Sequence, residues 1–237
     1  MNLPILMYHH LLLDQPQDQL GVTLDAFARQ VRWLAGSGFH SVSLGRVAAA
    51  CAGGAPLPKR PVVITFDDAY QASLERAQSV LSGVGFAATA FAVSSAVGKN
   101  NFWDDGRVPC ADAGQLRRLA GQGWEIGSHS RTHAHLPRLD DPALAGEIQG
   151  SRQDLEQMLG APVLSFSYPF GEWDRRVRDA VAGAGYWTAC ATSPQTASVT
   201  ADLLALRRVY VKAGDSLAAF RRKVSGWYLW YRGWRRR

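Results

Sequence analysis

Apolar and polar positions follow two alternating patterns along the chain. Short apolar runs predict buried strands, and longer stretches with apolar residues at helical spacing, several of them closed by glycine, predict helices. The predicted strands are 4–8, 61–66, 87–93, 124–127, 163–168 and 187–191. The predicted helices are 24–38, 69–81, 112–120, 142–159 and 175–184. Strands and helices in alternation predict an α/β fold with a parallel sheet or barrel.

The chain divides into one long domain and a short tail. Its 237 residues suffice for one sizeable core, and a hydrophobic share of 47% with 19% charged residues is ordinary for a globular protein and excludes a disordered one. Residues 1–225 show no linker, repeat or low-complexity segment and are predicted to form a single domain. Residues 226–237 are an aromatic and basic C-terminal tail.

Polar residues suited to chemistry follow three of the predicted strands. Asp67 and Asp68 come after 61–66, and His129 and His133 come after 124–127. A proline, a phenylalanine and a glycine at 169–171 follow the strand at 163–168. The active sites of parallel α/β barrels lie where the carboxyl ends of the strands meet. The sequence therefore predicts one site built from these three loops.

The two adjacent carboxylates have two possible interpretations. Neighbouring side chains of an extended backbone point to opposite sides, so one of Asp67 and Asp68 can bind a metal while the other transfers protons. The alternative is a helix N-cap, where aspartate is favoured.

The two histidines are four residues apart and can converge on one ion. Two histidines with one carboxylate leave coordination positions open for water and substrate, which is typical of catalytic zinc sites. Water bound at such a site loses a proton near neutral pH. The alternatives are a solvated helix face and an iron site for oxygen chemistry.

Taken together, these segments resemble the polysaccharide deacetylases of the NodB-homology type, carbohydrate esterase family 4. TFDD at 65–68 is similar to the first motif of that family, and HSRTH at 129–133 is similar to the second. GWEIGS at 123–128 and SYPFG at 167–171 are also similar to family sequences. The resemblance extends from residue 4 to about residue 211. It implies a distorted (β/α) barrel with fewer than eight strands and the removal of an N-acetyl group from a sugar.

The resemblance also implies roles for particular residues. Asp68, His129 and His133 would bind a divalent metal, with Zn²⁺ as the default and Co²⁺ or Ni²⁺ compatible with the same ligands. Asp67 would be the general base that activates water. The backbone N–H of Phe170 would stabilise the oxyanion.

Two family features are missing from this sequence. The third motif of the family begins with an arginine that braces the catalytic aspartate, but Ser167 or Tyr168 stands near that place; Arg131 and Arg208 are the candidate substitutes. The late motif that carries the general-acid histidine is also absent, because no histidine follows His135.

A residue near the start of the domain is a candidate for the missing general acid. Tyr8 and His9 end the first predicted strand, and a Tyr-His pair in this place resembles a subgroup that includes deacetylases of poly-N-acetylglucosamine. His9 is therefore predicted to be the general acid. The alternative is a histidine packed at the end of a strand.

Four residues are candidates for contact with the sugar. Aromatic and apolar side chains near the predicted site could line a pocket for the acetyl methyl group and the sugar ring, although aromatic residues are more often part of a core. The candidates are Tyr168, Pro169, Trp103 and Trp173.

The net charge of +6 is concentrated near the C-terminus. Residues 221–237 contain no acidic residue and seven basic ones: Arg221, Arg222, Lys223, Arg232, Arg235, Arg236 and Arg237. With the aromatic residues of the tail, this charge predicts peripheral contact with an anionic membrane surface. Packing of the tail against the barrel and a solvated tail are the alternatives. No nucleic-acid partner is expected.

The start of the sequence lacks the features of a signal peptide, and no apolar run is long enough to span a membrane. Three widely spaced cysteines indicate a reducing compartment. We therefore expect a cytoplasmic protein, peripheral at the inner membrane face, with an N-acetylated oligosaccharide, lipid-linked or nucleotide-linked sugar as substrate.

The resulting hypothesis is a metal-dependent N-deacetylase of glycan biosynthesis. A deformylase or another acyl-sugar amidase of the same fold is one alternative. A non-catalytic glycan-binding or assembly module is another, favoured by the two missing motif residues and opposed by Asp67, since a binding module needs no general base.

Overall fold

The computed structural model describes residues 3–16, 18–104, 107–192 and 202–225. The strands in these ranges are β1 Ile5–Tyr8, β2 His10–Leu12, β3 Gly21–Thr23, β4 His40–Ser41, β5 Pro61–Phe66, β6 Thr89–Ala92, β7 Glu125–Ser128, β8 Ser165–Ser167, β9 Thr188–Ala191, β10 Leu206–Arg207 and β11 Val209–Tyr210. The α-helices are α1 Leu24–Gly36, α2 Leu44–Cys51, α3 Gln71–Ser82, α4 Ala113–Gly121, α5 Asp141–Leu159, α6 Arg175–Gly183 and α7 Leu217–Val224. In the same ranges no helix has the length and apolar character needed to cross a membrane.

A parallel sheet closes on itself to form a barrel. Its strand order is β10-β9-β8-β7-β6-β5-β1-β11, and every pairing along this path is parallel. Only Arg208 separates β10, which pairs with β9, from β11, which pairs with β1. This segment therefore joins the two edges, and counted as one strand it gives a seven-stranded barrel in the described part of the chain. The predicted α/β barrel is confirmed.

The shortest elements were not predicted from the pattern. All six predicted strands and five predicted helices are present, but β2, β3, β4, α2, the β10–β11 segment and α7 were missed. Strands of two or three residues are too short for a periodic signal. Helix starts carry clear local signals, since the side chains of Thr23 and Asp140 accept N–H bonds from the first turns of α1 and α5.

Alternating strand residues divide the core into two clusters. One set packs between the barrel and its surrounding helices, and it includes Leu6, Ile64 and Phe166. The other set lies inside the barrel with Leu44 and Val47 of α2: it includes Ile5, Val63, Phe91, Cys190 and Leu206. The N–H of Gly45 in α2 also bonds the Glu125 carboxylate at the start of β7 (3.1 Å). Helix α2 thus closes the barrel at the end where the strands begin.

The interior face becomes polar towards the end where the strands finish. Because side chains alternate along a strand, Thr65 and Asp67 share the inward face of Val63, and His129 shares the face of Gly127. The barrel therefore presents polar groups at one end and is filled with apolar groups at the other.

Gly127 of β7 has no room for a side chain between Phe91 and β8, so its replacement is expected to destabilise the fold. A Cβ atom at this position would lie 2.6 Å from Phe91 Cδ1 and 2.9 Å from the Ser165 carbonyl oxygen. Such overpacking costs about 1–3 kcal/mol. Denaturant unfolding should give Gly127→Ala a lower midpoint than wild type. The control is Gly121→Ala in α4, where nothing lies within 4 Å; an equal effect of both substitutions would contradict this packing account.

Candidate active site

The end of β5 places two carboxylates at the polar mouth of the barrel. The N–H of Asp67 bonds the Tyr8 carbonyl (3.0 Å) and continues the pairing with β1. Asp68 (φ 64°) and Ala69 (φ 48°) then adopt left-handed backbone conformations, which non-glycine residues hold at an energetic cost and mainly at functional sites. Helix α3 begins after Tyr70, with no side-chain cap. The N-cap alternative for the two aspartates is therefore wrong.

The two histidines lie on a loop rather than on a helix. The N–H of His129 bonds the Ala92 carbonyl (2.8 Å), and His133 has a left-handed backbone with φ 61°. Glu147 of α5 fixes the turn between them by accepting the N–H groups of residues 131 and 132 (2.9 and 2.8 Å) and the Thr132 hydroxyl (2.6 Å). Nothing in the local sequence around Glu147 signals this role, because it depends on how α5 packs.

Asp68, His129 and His133 form a cluster suited to a divalent cation. Their ligand atoms lie within 4.8 Å of one another, and Nε2 of His129 and of His133 are 3.8 and 3.5 Å from Asp68 Oδ1. His129 Nδ1 lies 2.8 Å from the Ser167 carbonyl, which it can only donate to, so Nε2 carries the lone pair.

The surroundings of Asp68 fit a metal ion at this position. Asp68 Oδ1 is buried and has no hydrogen-bond partner among the described residues, an arrangement that is costly unless a cation faces it. Burial and the neighbouring Asp67 raise the pKa of Asp68 well above its ordinary value. An oxygen and two imidazole nitrogens are the ligand types of catalytic zinc.

Arg208 braces Asp67 through a buried two-bond ion pair. Its Nη1 lies 2.5 Å from Asp67 Oδ1 and its Nη2 lies 2.6 Å from Oδ2. The guanidinium also donates to the hydroxyls of Thr65 (3.2 Å) and Ser167 (3.0 Å). Burial would raise the pKa of Asp67, but the charge of Arg208, aided by His129, outweighs it and holds that pKa well below its ordinary value.

Of the two candidate substitutes for the missing arginine, the structure selects Arg208. Arg131 instead pairs with Asp154 of α5 at a partly exposed site (2.9 Å). Ser167, which stands near the place of the family arginine, contacts the guanidinium that replaces it.

His9 lies in the same site. Its Nε2 is 3.8 Å from Asp67 Oδ2, and its side chain is 13% exposed. Burial lowers the pKa of His9 to about 4. Its ring also packs edge-on to Tyr210 at 6.4 Å between centroids. The first strand thus brings His9 beside the predicted base, and its role as general acid stays a prediction.

Two ring contacts place Phe170 and Trp103 against the candidate metal cluster of Asp68, His129 and His133. Phe170 has a left-handed backbone (φ 58°) in the turn Pro169–Gly171, and its ring is 48% exposed. It packs edge-on to His133 (4.6 Å) and stacks on His135 (4.0 Å). Trp103 stacks on His133 from another loop (4.8 Å).

The family model for polysaccharide deacetylase matches residues 54–189, which include both the aspartate pair and the histidine loop. The chain belongs to the polysaccharide deacetylase family. The matched region therefore contains both segments on which the resemblance to the family was based.

Similar proteins agree with this assignment. The chain is 28% identical over 220 residues to YxkH of Bacillus subtilis, whose name refers to polysaccharide deacetylases; the match covers 92% of this chain and 75% of that protein. A shorter match, 38% identical over 74 residues, is to poly-β-1,6-N-acetyl-D-glucosamine N-deacetylase of Escherichia coli and covers 30% of this chain and 11% of that protein. The deacetylase PplD of Streptococcus pyogenes shares the fold, with a TM-score of 0.84 at 21% identity over 95% of this chain and 99% of that one.

The four residues that were expected to contact the sugar differ in position and burial. Trp103 lies against His133 of the candidate metal cluster, and Trp173 lines an open cleft of about 490 Å³ beside Phe170. Pro169 is buried in the turn. Tyr168 has no solvent exposure and donates its hydroxyl to the Leu204 carbonyl (2.8 Å). The expectation for Tyr168 needs correction, because a side chain enclosed in the core offers no surface to a sugar. The burial of Pro169 counts against its predicted contact in the same way.

The predicted tail, 226–237, lies outside the described residues. Its contact with a membrane, the domain boundary at 225 and the cytoplasmic location stay predictions. Within α7, Arg221 and Arg222 are exposed.

Proposed function

We propose that this chain is a metal-dependent hydrolase that removes the N-acetyl group from an amino sugar of a glycan. One observation carries the proposal: Asp67 is held ionised by Arg208 and lies beside the three metal-binding side chains, with His129 Nε2 4.0 Å from Asp67 Oδ2. A proton acceptor and a candidate Lewis-acid site thus share one pocket. The similarity to deacetylases, one of them specific for N-acetylglucosamine polymer by its name, supports the substrate class.

Each side chain of the site has a separate role in the proposed hydrolysis of the amide. A divalent cation, Zn²⁺ by default, would polarise the acyl carbonyl and make water more acidic. Asp67 accepts the proton of the attacking water, and Arg208 keeps its carboxylate charged and oriented. The backbone N–H of Phe170 would bond the oxygen that becomes negative. His9 is neutral at rest, because burial lowers its pKa to about 4. It would take up the proton that Asp67 removes from water, since its Nε2 lies 3.8 Å from Asp67 Oδ2, and donate it to the nitrogen that leaves, because an amine anion is a poor leaving group.

The arrangement favours turnover over binding alone. A glycan-binding module gains nothing from a buried carboxylate that is kept ionised next to metal ligands, because burying charge is costly. Removal of a formyl or another small acyl group would use the same side chains and differs only in the space left for the acyl group.

A substrate panel tests the proposal. Acid release would be measured from N-acetylglucosamine oligomers, a lipid-linked N-acetyl sugar and the N-formyl counterparts, with zinc-loaded wild type and Asp67→Asn. Acetate release by wild type alone is the expected result. Release of formate but not acetate would show that the enzyme removes a formyl group rather than an acetyl group. Absence of any release from metal-loaded protein would favour a binding module.

The assignment of His9 has its own test. His9→Ala is expected to lower amide hydrolysis by about 10²–10⁴-fold, the usual contribution of a positioned acid. Hydrolysis of 4-nitrophenyl acetate should fall much less, because nitrophenolate leaves without protonation. Rates on both substrates would be measured with zinc-loaded protein. Equal losses on the two substrates would assign His9 to another step, and an unchanged amide rate would remove it from catalysis.

A further inference from the structure

His135 and Glu172 join two loops that border the candidate metal cluster. His135 lies two residues after the histidine loop 129–133, and Glu172 directly follows the turn Pro169–Gly171. His135 Nδ1 lies 2.8 Å from a carboxylate oxygen of Glu172, Oε2. An ionised carboxylate can only accept hydrogen bonds, so the ring nitrogen is the donor. Neither residue takes part in the hydrolysis proposed above.

The turn Pro169–Gly171 holds Phe170 in a costly backbone conformation. Phe170 has φ 58° and ψ 3°, a left-handed conformation that a non-glycine residue keeps only where the surrounding structure enforces it. Within the turn, the N–H of Gly171 bonds the Tyr168 carbonyl (2.9 Å), and the N–H of Glu172 bonds the Pro169 carbonyl (3.1 Å). The side chain of Phe170 makes further contacts that can enforce this conformation.

The ring of Phe170 contacts two histidines of the neighbouring loop. It stacks on His135 at 4.0 Å between centroids and 8° between planes. It packs edge-on to His133 at 4.6 Å and 74°. Because Glu172 directly follows the turn that contains Phe170, its bond to His135 orients the ring on which Phe170 rests. The turn is thus attached to His135 twice.

His135 is itself held in place by its own segment of the chain. The next residue, Leu136, is fully buried, and the His135 carbonyl accepts the N–H of Arg138 (3.0 Å). Arg176 of α6 donates to the Leu139 carbonyl (2.8 Å). These contacts fix the backbone at His135, so its ring can restrain the turn that packs on it.

We propose that His135 and Glu172 are positioning residues, which hold the Phe170 backbone N–H towards the oxygen that becomes negative during hydrolysis. The proposal rests on the function proposed above and on the role given there to Phe170. Both side chains are partly exposed, and an ion pair of this kind contributes little to stability. We therefore expect their loss to change catalysis more than folding.

Kinetics of zinc-loaded His135→Ala on an N-acetylglucosamine oligomer test the proposal. Its kcat is expected to fall about 10–100-fold, because a displacement of about 1 Å in an active site can cost about 10²-fold. KM and zinc affinity should stay near wild-type values, since an oxyanion contact forms only in the transition state. Glu172→Ala should behave in the same way. Glu172→Gln should keep most of the rate, because its amide oxygen also accepts a hydrogen bond.

The matched control is His40→Ala. His40 is an exposed histidine whose Nδ1 lies 3.0 Å from the Lys59 carbonyl, and it pairs with the first residue of β5 at the opposite end of the barrel. This variant should keep the wild-type kcat.

Amide hydrogen exchange tests the restraint on the turn without substrate or metal. In His135→Ala the N–H groups of Gly171 and Glu172 should exchange about 2–10-fold faster than in wild type, the factor that corresponds to the loss of one aromatic stack. A double substitution gives a second check. Phe170→Gly removes the ring through which His135 acts, so adding His135→Ala to it should lower kcat little further.

The outcomes separate this proposal from the proposed function. Unchanged kcat or unchanged exchange in His135→Ala, an equal loss in His40→Ala, or additive losses from His135→Ala and Phe170→Gly would overturn the positioning role and leave the hydrolase intact. Failure of wild type to hydrolyse any N-acyl sugar would overturn both. If His135→Ala does not fold, as judged by its thermal midpoint, the same measurements on Glu172→Ala decide, and wild-type values there would overturn the positioning role.

Discussion

Asp67→Asn is expected to lower the rate of acetate release by about 10²–10⁴-fold, the range typical of removing a positioned base. Asparagine keeps the shape of the side chain but cannot take a proton from water. The substitution also leaves the buried Arg208 without its counter-charge, so the variant should be less stable. The rate must therefore be measured per mole of folded, zinc-loaded enzyme.

A second aspartate provides the control for Asp67. Asp154→Asn removes a carboxylate that pairs with Arg131 at a partly exposed site. Its turnover should stay close to that of wild type. Comparable rates for Asp67→Asn and Asp154→Asn would show that Asp67 is not the base.

Arg208→Met is expected to be the most destabilising substitution in the site. It leaves Asp67 charged, buried and unpaired, and removal of one partner from a buried ion pair costs about 3–5 kcal/mol. Turnover should also fall, because the carboxylate loses its orientation. Arg131→Met breaks the partly exposed pair with Asp154, for which about 1 kcal/mol or less is expected. Denaturant unfolding of both variants measures the free energies of unfolding.

The pH dependence of this effect has a definite sign. Arg208 holds the folded-state pKa of Asp67 below its unfolded value, so the pair stabilises wild type above the unfolded pKa of about 3.9 and loses this contribution as the pH falls. In Arg208→Met, the main influence that opposes burial is removed, so the pKa of Asp67 rises, and acid then relieves the buried charge. The difference in stability between the two proteins should narrow from neutral to acidic pH. A difference that grows in acid would contradict the ion-pair account.

The sequence pattern predicts the barrel because its signal is repeated in several strand–helix units. It also places both motifs at strand ends, and the structure brings Asp67, Asp68, His129 and His133 together as expected. The replacement for the missing arginine depended instead on pairing between strands far apart in the chain. Arg208 reaches Asp67 because β10 and β11 close the barrel between β9 and β1, and two-residue strands give no periodic pattern.

The burial and contacts of individual side chains were the second feature that the sequence could not predict. The aromatic residues expected near the sugar could not be sorted into core and surface from their type alone. Tyr168 proved to be core, whereas Trp103 stacks on His133 of the candidate metal site. Glu147 fixes the histidine loop through tertiary contacts that no motif spacing reveals.

Metal reconstitution tests the central claim most directly. Protein stripped by a chelator would be titrated with zinc, and acetate release would be measured against bound metal for wild type, Asp68→Asn and His133→Ala. We predict that metal-free wild type is inactive, that its activity rises with zinc up to one equivalent, and that both variants bind zinc weakly. Full acetate release by the metal-free protein, or wild-type zinc binding by both variants, would contradict the account.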